Sequence, residues 1–273
     1  MSKIGKSENR VTVPQIIAHK AAKQKISMVT CYDSSFARIV DRSPVDIALV
    51  GDSVGNVMLG FESTISVTMD HMVHHTAAVS RVCRRVLVCA DMPFLSYNCS
   101  QEQALKNAGR LIQEGGAQAV KVEGAGSIIP YIASIVANGI PVMGHIGLTP
   151  QSVHKLGGYK IQGREHEQAQ EMILAAQELA AIGVFAIVVE LVPAALTKKI
   201  SEAVSIPVIG IGAGSDCDGQ VLVLQDLLGF DDDFQPKFLK KFASLGQVIS
   251  NALVDYDREV KTGVFPSTSQ SFK

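Results

Sequence analysis

The sequence predicts an α/β protein of the (β/α)8, or TIM, barrel type with an extra N-terminal helix. Three observations lead there. Eight short β-branched apolar runs recur along the 273 residues. Patterns of helical period separate most of them. The runs are continuously apolar rather than alternating, as expected of parallel strands covered on both faces. Such strands with intervening helices close most simply into a barrel; a doubly wound open sheet is the alternative.

In chain order, Pro14–Lys23 reads as the extra helix, with proline in its first turn. Ile26–Cys31 and Ile47–Gly51 are the first two strands, and Val86–Ala90 is the third. Ala104, Ala108, Leu111 and Ile112 then fall at i, i+4, i+7 and i+8, an amphipathic stripe. Ala119–Glu123 and Pro141–His145 follow as strands. Met172, Ile173, Ala176, Leu179 and Ala180 repeat the stripe, and Gly183 stops it. Val184–Glu190 is a strand, Pro193–Val204 a helix, and Pro207–Ile211 and Val221–Gln225 are the last strands. Between those two, SDCDG is too short for a helix. Pro236–Val260 reads as the final helix and Thr262–Lys273 as a polar tail. No composition break or linker divides the chain, so a single domain over residues 1–273 is expected.

Composition narrows the function. Hydrophobic residues are 47% and charged residues 19%, enough apolar surface to offset the entropy of ordering the chain. The net charge is −1 with no basic run, which argues against nucleic acid or an anionic membrane as partner. Tryptophan is absent and aromatics are 5%, too few for a base-stacking platform. Cys31, Cys83, Cys89, Cys99 and Cys217 are scattered without a CxxC pair, as in a reduced, cytoplasmic protein. The opening MSKIGKSENR lacks the apolar core of a secretory signal. Gly183, Glu190 and Pro193 interrupt the most apolar stretch, Leu179–Leu196, so it does not read as a membrane span.

The positions of the acids carry the functional signal. Asp52 follows IALVG, Asp91 follows VLVCA, Glu123 closes AVKVE, His145 closes PVMGH and Glu190 closes FAIVVE. Barrel active sites form at the C-terminal ends of the strands, so these five converge on one mouth. Convergent buried carboxylates share protons or hold a metal. Hard oxygen donors, with no cysteine and little histidine, suit Mg²⁺ or Mn²⁺ rather than Zn²⁺. Taken singly, each acid reads equally well as a cap on the next helix. Lys121 lies two residues before Glu123 and so on the same strand face. It pairs either with a substrate carboxylate or with one of the acids. The glycines of IGIGAGSDCDGQ fit a phosphate loop or a tight turn. His71, His74 and His75 have metal-ligand spacing on one helix, but no acid or cysteine nearby completes a site. Cys89 reads as core.

Longer segments point to a family. TCYDSSFARIV, LVGDSVGNVMLGFESTISVT, HHTAAV, ADMPFLSY, AVKVEG, PVMGHIGLTPQSVHKLGGYKIQGR, VVELVP and IPVIGIGAGSDCDGQVLV resemble the ketopantoate hydroxymethyltransferase (3-methyl-2-oxobutanoate hydroxymethyltransferase) family from about Thr30 to Gly229. The resemblance implies a (β/α)8 barrel and a Mg²⁺ cofactor. The implied reaction moves a hydroxymethyl group from 5,10-methylenetetrahydrofolate to 3-methyl-2-oxobutanoate, through a Mg-stabilised enolate, giving 2-dehydropantoate for pantothenate synthesis. It further implies Asp52, Asp91 and Glu123 as metal ligands, and Asp52, Ser53, Asp91 and Lys121 as 2-oxo acid contacts. Glu190 becomes the general base, and His145 lies in the same pocket. A homo-oligomer, a decamer of two rings, is the implied assembly. One departure is Gln270, where the family pattern has histidine before the final Ser-Phe.

Two rival readings are weighed. A Mg-dependent 2-oxo acid C–C lyase or transferase of the isocitrate-lyase-like type carries a KKCGH-like loop, and no cysteine here has that context. A non-catalytic metabolite-binding barrel has no need of a base such as Glu190.

Overall fold

The computed structural model describes residues 10–272. Most of the MSKIGKSENR segment therefore lies outside the described residues. The chain divides into two compact units, Met1–Leu222 and Val223–Lys273.

The first unit is the barrel. Eight strands, all parallel, close in sequence order: β1 Ile26–Thr30, β2 Ile47–Val50, β3 Leu87–Asp91, β4 Ala119–Glu123, β5 Val142–Gly147, β6 Ala186–Glu190, β7 Val208–Ile211 and β8 Gly219–Leu222. The ring closes through β8, where Ile26 pairs with Gly219 and Val29 with Leu222. The open sheet is thereby excluded. Met28, Leu49, Cys89, Met143, Val188 and Ile209 belong to one buried cluster. It is a filled core, not a pore.

The extra helix, Val13–Ala21, starts with a capping box in which the Thr12 N–H donates to Gln15 Oε1 at 2.8 Å. Its Ile16 is fully buried in the same cluster as Ile26 and Leu87, at the strand starts. The helix thus packs at the N-terminal end of the barrel. Other helices start where the sequence supplies a cap. Asp33 Oδ1 accepts from the Ser35 and Phe36 N–H groups, and Ser100 Oγ from that of Gln103.

Two elements differ most from expectation. β8 lies two residues earlier than Val221–Gln225, because Gly219 permits close approach to β1: a Cβ there would sit 2.5 Å from the Ile26 carbonyl oxygen. In the second unit the final helix spans Leu245–Thr262, not Pro236–Val260. The N–H groups of Phe242, Leu245 and Gly246 donate to the carbonyls of Leu227, Leu228 and Gly229. The Phe242 N–H is thus spent outside the final helix, and those of Leu245 and Gly246 are first-turn donors that the carbonyls of residues 228 and 229 satisfy at the helix start. Among the described residues, no helix is long and apolar enough to cross a membrane.

Candidate active site

The strand ends bring the predicted residues together. Asp91, Glu123 and Glu190 are the last residues of β3, β4 and β6. His145 sits within β5, and Asp52 two residues past β2. Asp52, Asp91, Lys121, Glu123 and His145 are each no more than 6% exposed. Little solvent is left to screen their charges.

A line of charge runs around the mouth. Lys121 Nζ lies 2.7 Å from Asp91 Oδ1 and 4.0 Å from Glu123 Oε1. His145 is flanked by Glu123 Oε1 at 3.4 Å from Nδ1 and by Glu190 Oε2 at 3.3 Å from Nε2. Neither ring nitrogen meets hydrogen-bond geometry, so these contacts act as ion pairs. Glu190 differs from the other four acids and bases in reaching solvent, its side chain being 19% exposed. The second reading of Lys121, an ion pair with a neighbouring acid, is thus present with Asp91.

The charges are unequal in their effects. Burial, then the negative charges of Asp91 and Glu123, raise the Asp52 carboxyl well above its usual range. Burial works the same way on Glu123. There, contact with the His145 ring and its charge, then Lys121 and the Gln151 N–H, overcome it and hold the carboxyl low. Burial and Lys121 oppose charge on His145, yet Glu123 and Glu190 push it up to about 9. Burial opposes the Lys121 ammonium, but Asp91, Glu123 and Asp52 keep it protonated.

Two neutral residues that sequence reasoning missed hold the acids in place, and a third, Tyr32, holds Ser53. Gln151, buried in the turn after β5, donates through Nε2 to Asp52 Oδ2 and to the Met92 carbonyl, both at 2.9 Å. Its backbone N–H donates to Glu123 Oε2 at 3.0 Å. The Tyr97 hydroxyl donates to Gln151 Oε1 at 3.0 Å and accepts the Glu123 N–H at 3.1 Å. Tyr32 is fully buried, with its hydroxyl 2.8 Å from Ser53 Oγ. The Asp52 N–H donates to Asp91 Oδ2 at 3.0 Å, tying the two acids together.

The donor set fits a hard divalent cation. Four carboxylates face the two cations Lys121 and His145, and Asp52 carries the strain of that excess. Among the described residues, no three His, Cys, Asp or Glu side chains form a closed cage for an ion. Mg²⁺ does not need one, because it keeps waters and takes substrate oxygens beside one or two carboxylates.

The other candidates have structural uses. His71 Nδ1 accepts the Thr68 N–H at 3.2 Å, and His75 Nδ1 lies 2.7 Å from the Tyr32 carbonyl. Cys89 is fully buried core. In the glycine loop, a Cβ on Gly214 would meet Ala194 Cβ at 2.4 Å, so tight packing accounts for that glycine.

The sequence model of the family described as ketopantoate hydroxymethyltransferase matches residues 10–268. A 3-methyl-2-oxobutanoate hydroxymethyltransferase of Moorella thermoacetica is 52% identical over 265 residues, covering 97% of this chain and 98% of that one. Among solved structures, a phosphonopyruvate hydrolase in complex with oxalate and Mg²⁺ aligns with a TM-score of 0.61 at 10% identity, covering 94% of this chain and 92% of that one. A 2,3-dimethylmalate lyase of the PEP mutase/isocitrate lyase superfamily aligns with a TM-score of 0.59 at 11% identity, covering 95% and 91%. At such identities the two structures speak for the fold alone.

Proposed function

The chain belongs to the ketopantoate hydroxymethyltransferase family, and on that footing we propose that it transfers a hydroxymethyl group from 5,10-methylenetetrahydrofolate to 3-methyl-2-oxobutanoate. The product is 2-dehydropantoate, a precursor in pantothenate synthesis. One observation carries the reading: an unbroken line of buried charges joins a lysine suited to a substrate carboxylate, Lys121, to a solvent-reaching carboxylate base, Glu190.

Lys121 and the Tyr32-oriented hydroxyl of Ser53 receive the 2-oxo acid, with Asp52 and Asp91 beside it. Asp52, Asp91 and Glu123 would hold Mg²⁺, directly or through water. When bound, Mg²⁺ supplies Lewis-acid stabilisation of negative charge on the 2-oxo acid oxygens. Glu190 accepts the C3 proton, which requires placement within hydrogen-bond range. His145, held as imidazolium between Glu123 and Glu190, fixes the direction in which Glu190 points. The C3 carbanion takes the one-carbon unit, water supplies the hydroxyl oxygen, and tetrahydrofolate leaves.

A homo-oligomer, with a decamer as the family expectation, is part of this reading. It is supported by the helix Leu245–Thr262, none of whose residues is buried, with Val248, Leu253, Val254 and Tyr256 about 60% exposed. A reducing, cytoplasmic setting is supported by five free cysteines. The test is a direct transfer assay with both substrates and Mg²⁺. Formation of 2-dehydropantoate supports the reading. A 2-oxo acid cleaved without folate would favour the lyase alternative, and binding without turnover the non-catalytic one.

A further inference from the structure

Lys121, Glu190 and their neighbours account for the 2-oxo acid, but none of them offers a surface for a folate. We propose that the segment from His154 to Arg164, the end of the short helix Val153–Leu156 and the loop after it, recognises the folate: Tyr159 and Ile161 are the platform for its rings, and Lys155, Lys160 and Arg164 meet its glutamate carboxylates. This assignment rests on the hydroxymethyl-transfer reading.

Both ends of the loop are tied to the catalytic mouth. It follows the turn that carries Gln151, which bonds Asp52 and Glu123. It returns beside the base, where the Gln162 N–H donates at 2.9 Å to the carbonyl of Leu191, the residue after Glu190. Gly163 then seats so closely that a Cβ would lie 2.5 Å from Leu196 Cδ2. Between these anchors Tyr159 is 57% exposed and Ile161 45% exposed. Large apolar side chains held in solvent at the rim of a site mark binding rather than folding. Burial first, then the charges of Glu190, Asp52 and Glu123, raise the Tyr159 phenol.

Charge divides the mouth in two. From Pro150 through Arg164 there is no acid, while Lys155, Lys160 and Arg164 are cationic and exposed. The interior is acidic. Lys121 already provides for the carboxylate of the 2-oxo acid, so the outer cations serve another anion. A reduced folate matches this division. Its pterin and aminobenzoyl rings have flat π-faces for an aromatic platform. Its glutamate tail is a flexible polyanion, which exposed lysines attract over a distance set by salt.

The test uses the full-length enzyme with Tyr159→Ala, Tyr159→Phe and the double variant Lys155→Glu/Lys160→Glu. Tetrahydrofolate mono- and pentaglutamate are the binding probes. Folate-free exchange of the C3 proton of 3-methyl-2-oxobutanoate checks that the inner site is intact. Tyr159→Ala should weaken tetrahydrofolate binding and raise KM for the methylene donor roughly 10-fold or more, the effect of removing one aromatic stack. KM for the 2-oxo acid and the exchange rate should stay within about two-fold, since the interior is untouched. Tyr159→Phe, which keeps the ring, should restore most of the tetrahydrofolate affinity that Tyr159→Ala loses. The charge reversal should abolish the preference for pentaglutamate over monoglutamate. Wild-type folate affinity in both Tyr159→Ala and the double variant, with transfer intact in the parent enzyme, overturns the assignment. If the parent enzyme neither binds tetrahydrofolate nor transfers, the hydroxymethyl-transfer reading falls, and this assignment with it.

Discussion

Replacing Gln151 by leucine keeps the side-chain volume but removes three hydrogen bonds at once. With Asp52 ionised the bond from Nε2 is charge-assisted, worth about 1.5–3 kcal/mol, and those involving Met92 and Tyr97 are worth about 1 kcal/mol each. Some of this is regained by burying leucine in place of an amide, so a loss of roughly 2–4 kcal/mol is expected. For a chain of this length each kcal/mol shifts Tm by about 2–4 °C, which predicts a fall of roughly 5–15 °C by scanning calorimetry. The functional effect follows from Asp52, whose carboxylate loses its only side-chain amide partner among the described contacts. Partners that orient metal-binding carboxylates are worth about 10- to 100-fold in metal affinity. Gln151→Leu should therefore raise the Mg²⁺ concentration for half-maximal activation about 10-fold or more. Titration by calorimetry in the presence of the 2-oxo acid measures it directly. Wild-type Mg²⁺ response together with an unchanged Tm would refute the argument that Gln151 positions Asp52.

Other outcomes follow from the same geometry. Lys121→Ala should raise KM for 3-methyl-2-oxobutanoate by roughly 10- to 150-fold and leave that for the folate little changed, since one charged hydrogen bond is worth about 1.5–3 kcal/mol; an unchanged 2-oxo acid affinity would leave Lys121 only its ion pair with Asp91. EDTA should abolish activity and Mg²⁺ restore it, with Asp91→Asn or Glu123→Gln weakening Mg²⁺ affinity by about 10-fold or more; full activity in a metal-free preparation would contradict this. Far from the site, Asp41 accepts the N–H groups of Arg84, Arg85 and Val86, which outweigh the opposing effect of burial and lower its carboxyl. Its contribution is therefore present above the carboxyl's unfolded pKa, about 4, and is lost as pH falls through the lower folded value; Asp41→Ala should cost about 1–2 kcal/mol at pH 7 and much less in acid, measured by urea melts.

Much of the barrel was legible because its strands are buried on both faces. AVKVE and FAIVVE announce both the strand and the charged residue at its end. The closure of the final strand was less legible. Gly219 and Gln220 carry no apolar signal, yet they pair with Ile26 and Ser27. The late start of the last helix was hidden for a related reason. The segment before Leu245 has helical composition, but its Phe242 N–H serves Leu227, and the first helical N–H groups, of Leu245 and Gly246, serve Leu228 and Gly229. At the site, charge at strand ends was readable and neutral support was not. Gln151, Tyr97 and Tyr32 act through partners remote in sequence, as when Gln151 reaches Asp52 across 99 positions. A glutamine after Thr-Pro gives no local sign of that. The segments LTPQSV and ADMPFLSY were recognisable, but without roles for Gln151 or Tyr97.

The most direct test of the account concerns Glu190. If it removes the C3 proton before the folate reacts, enzyme with Mg²⁺ and 3-methyl-2-oxobutanoate should exchange that proton with D₂O in the absence of folate. The loss of the C3 proton signal is followed by NMR. Glu190→Gln is nearly isosteric and cannot take the proton, so exchange should slow by about 10²–10⁴-fold. Affinity for the 2-oxo acid should change little, because Lys121 and the acids around it lie deeper in the mouth than Glu190. Exchange in Glu190→Gln at the wild-type rate would contradict the account and move the base to another group.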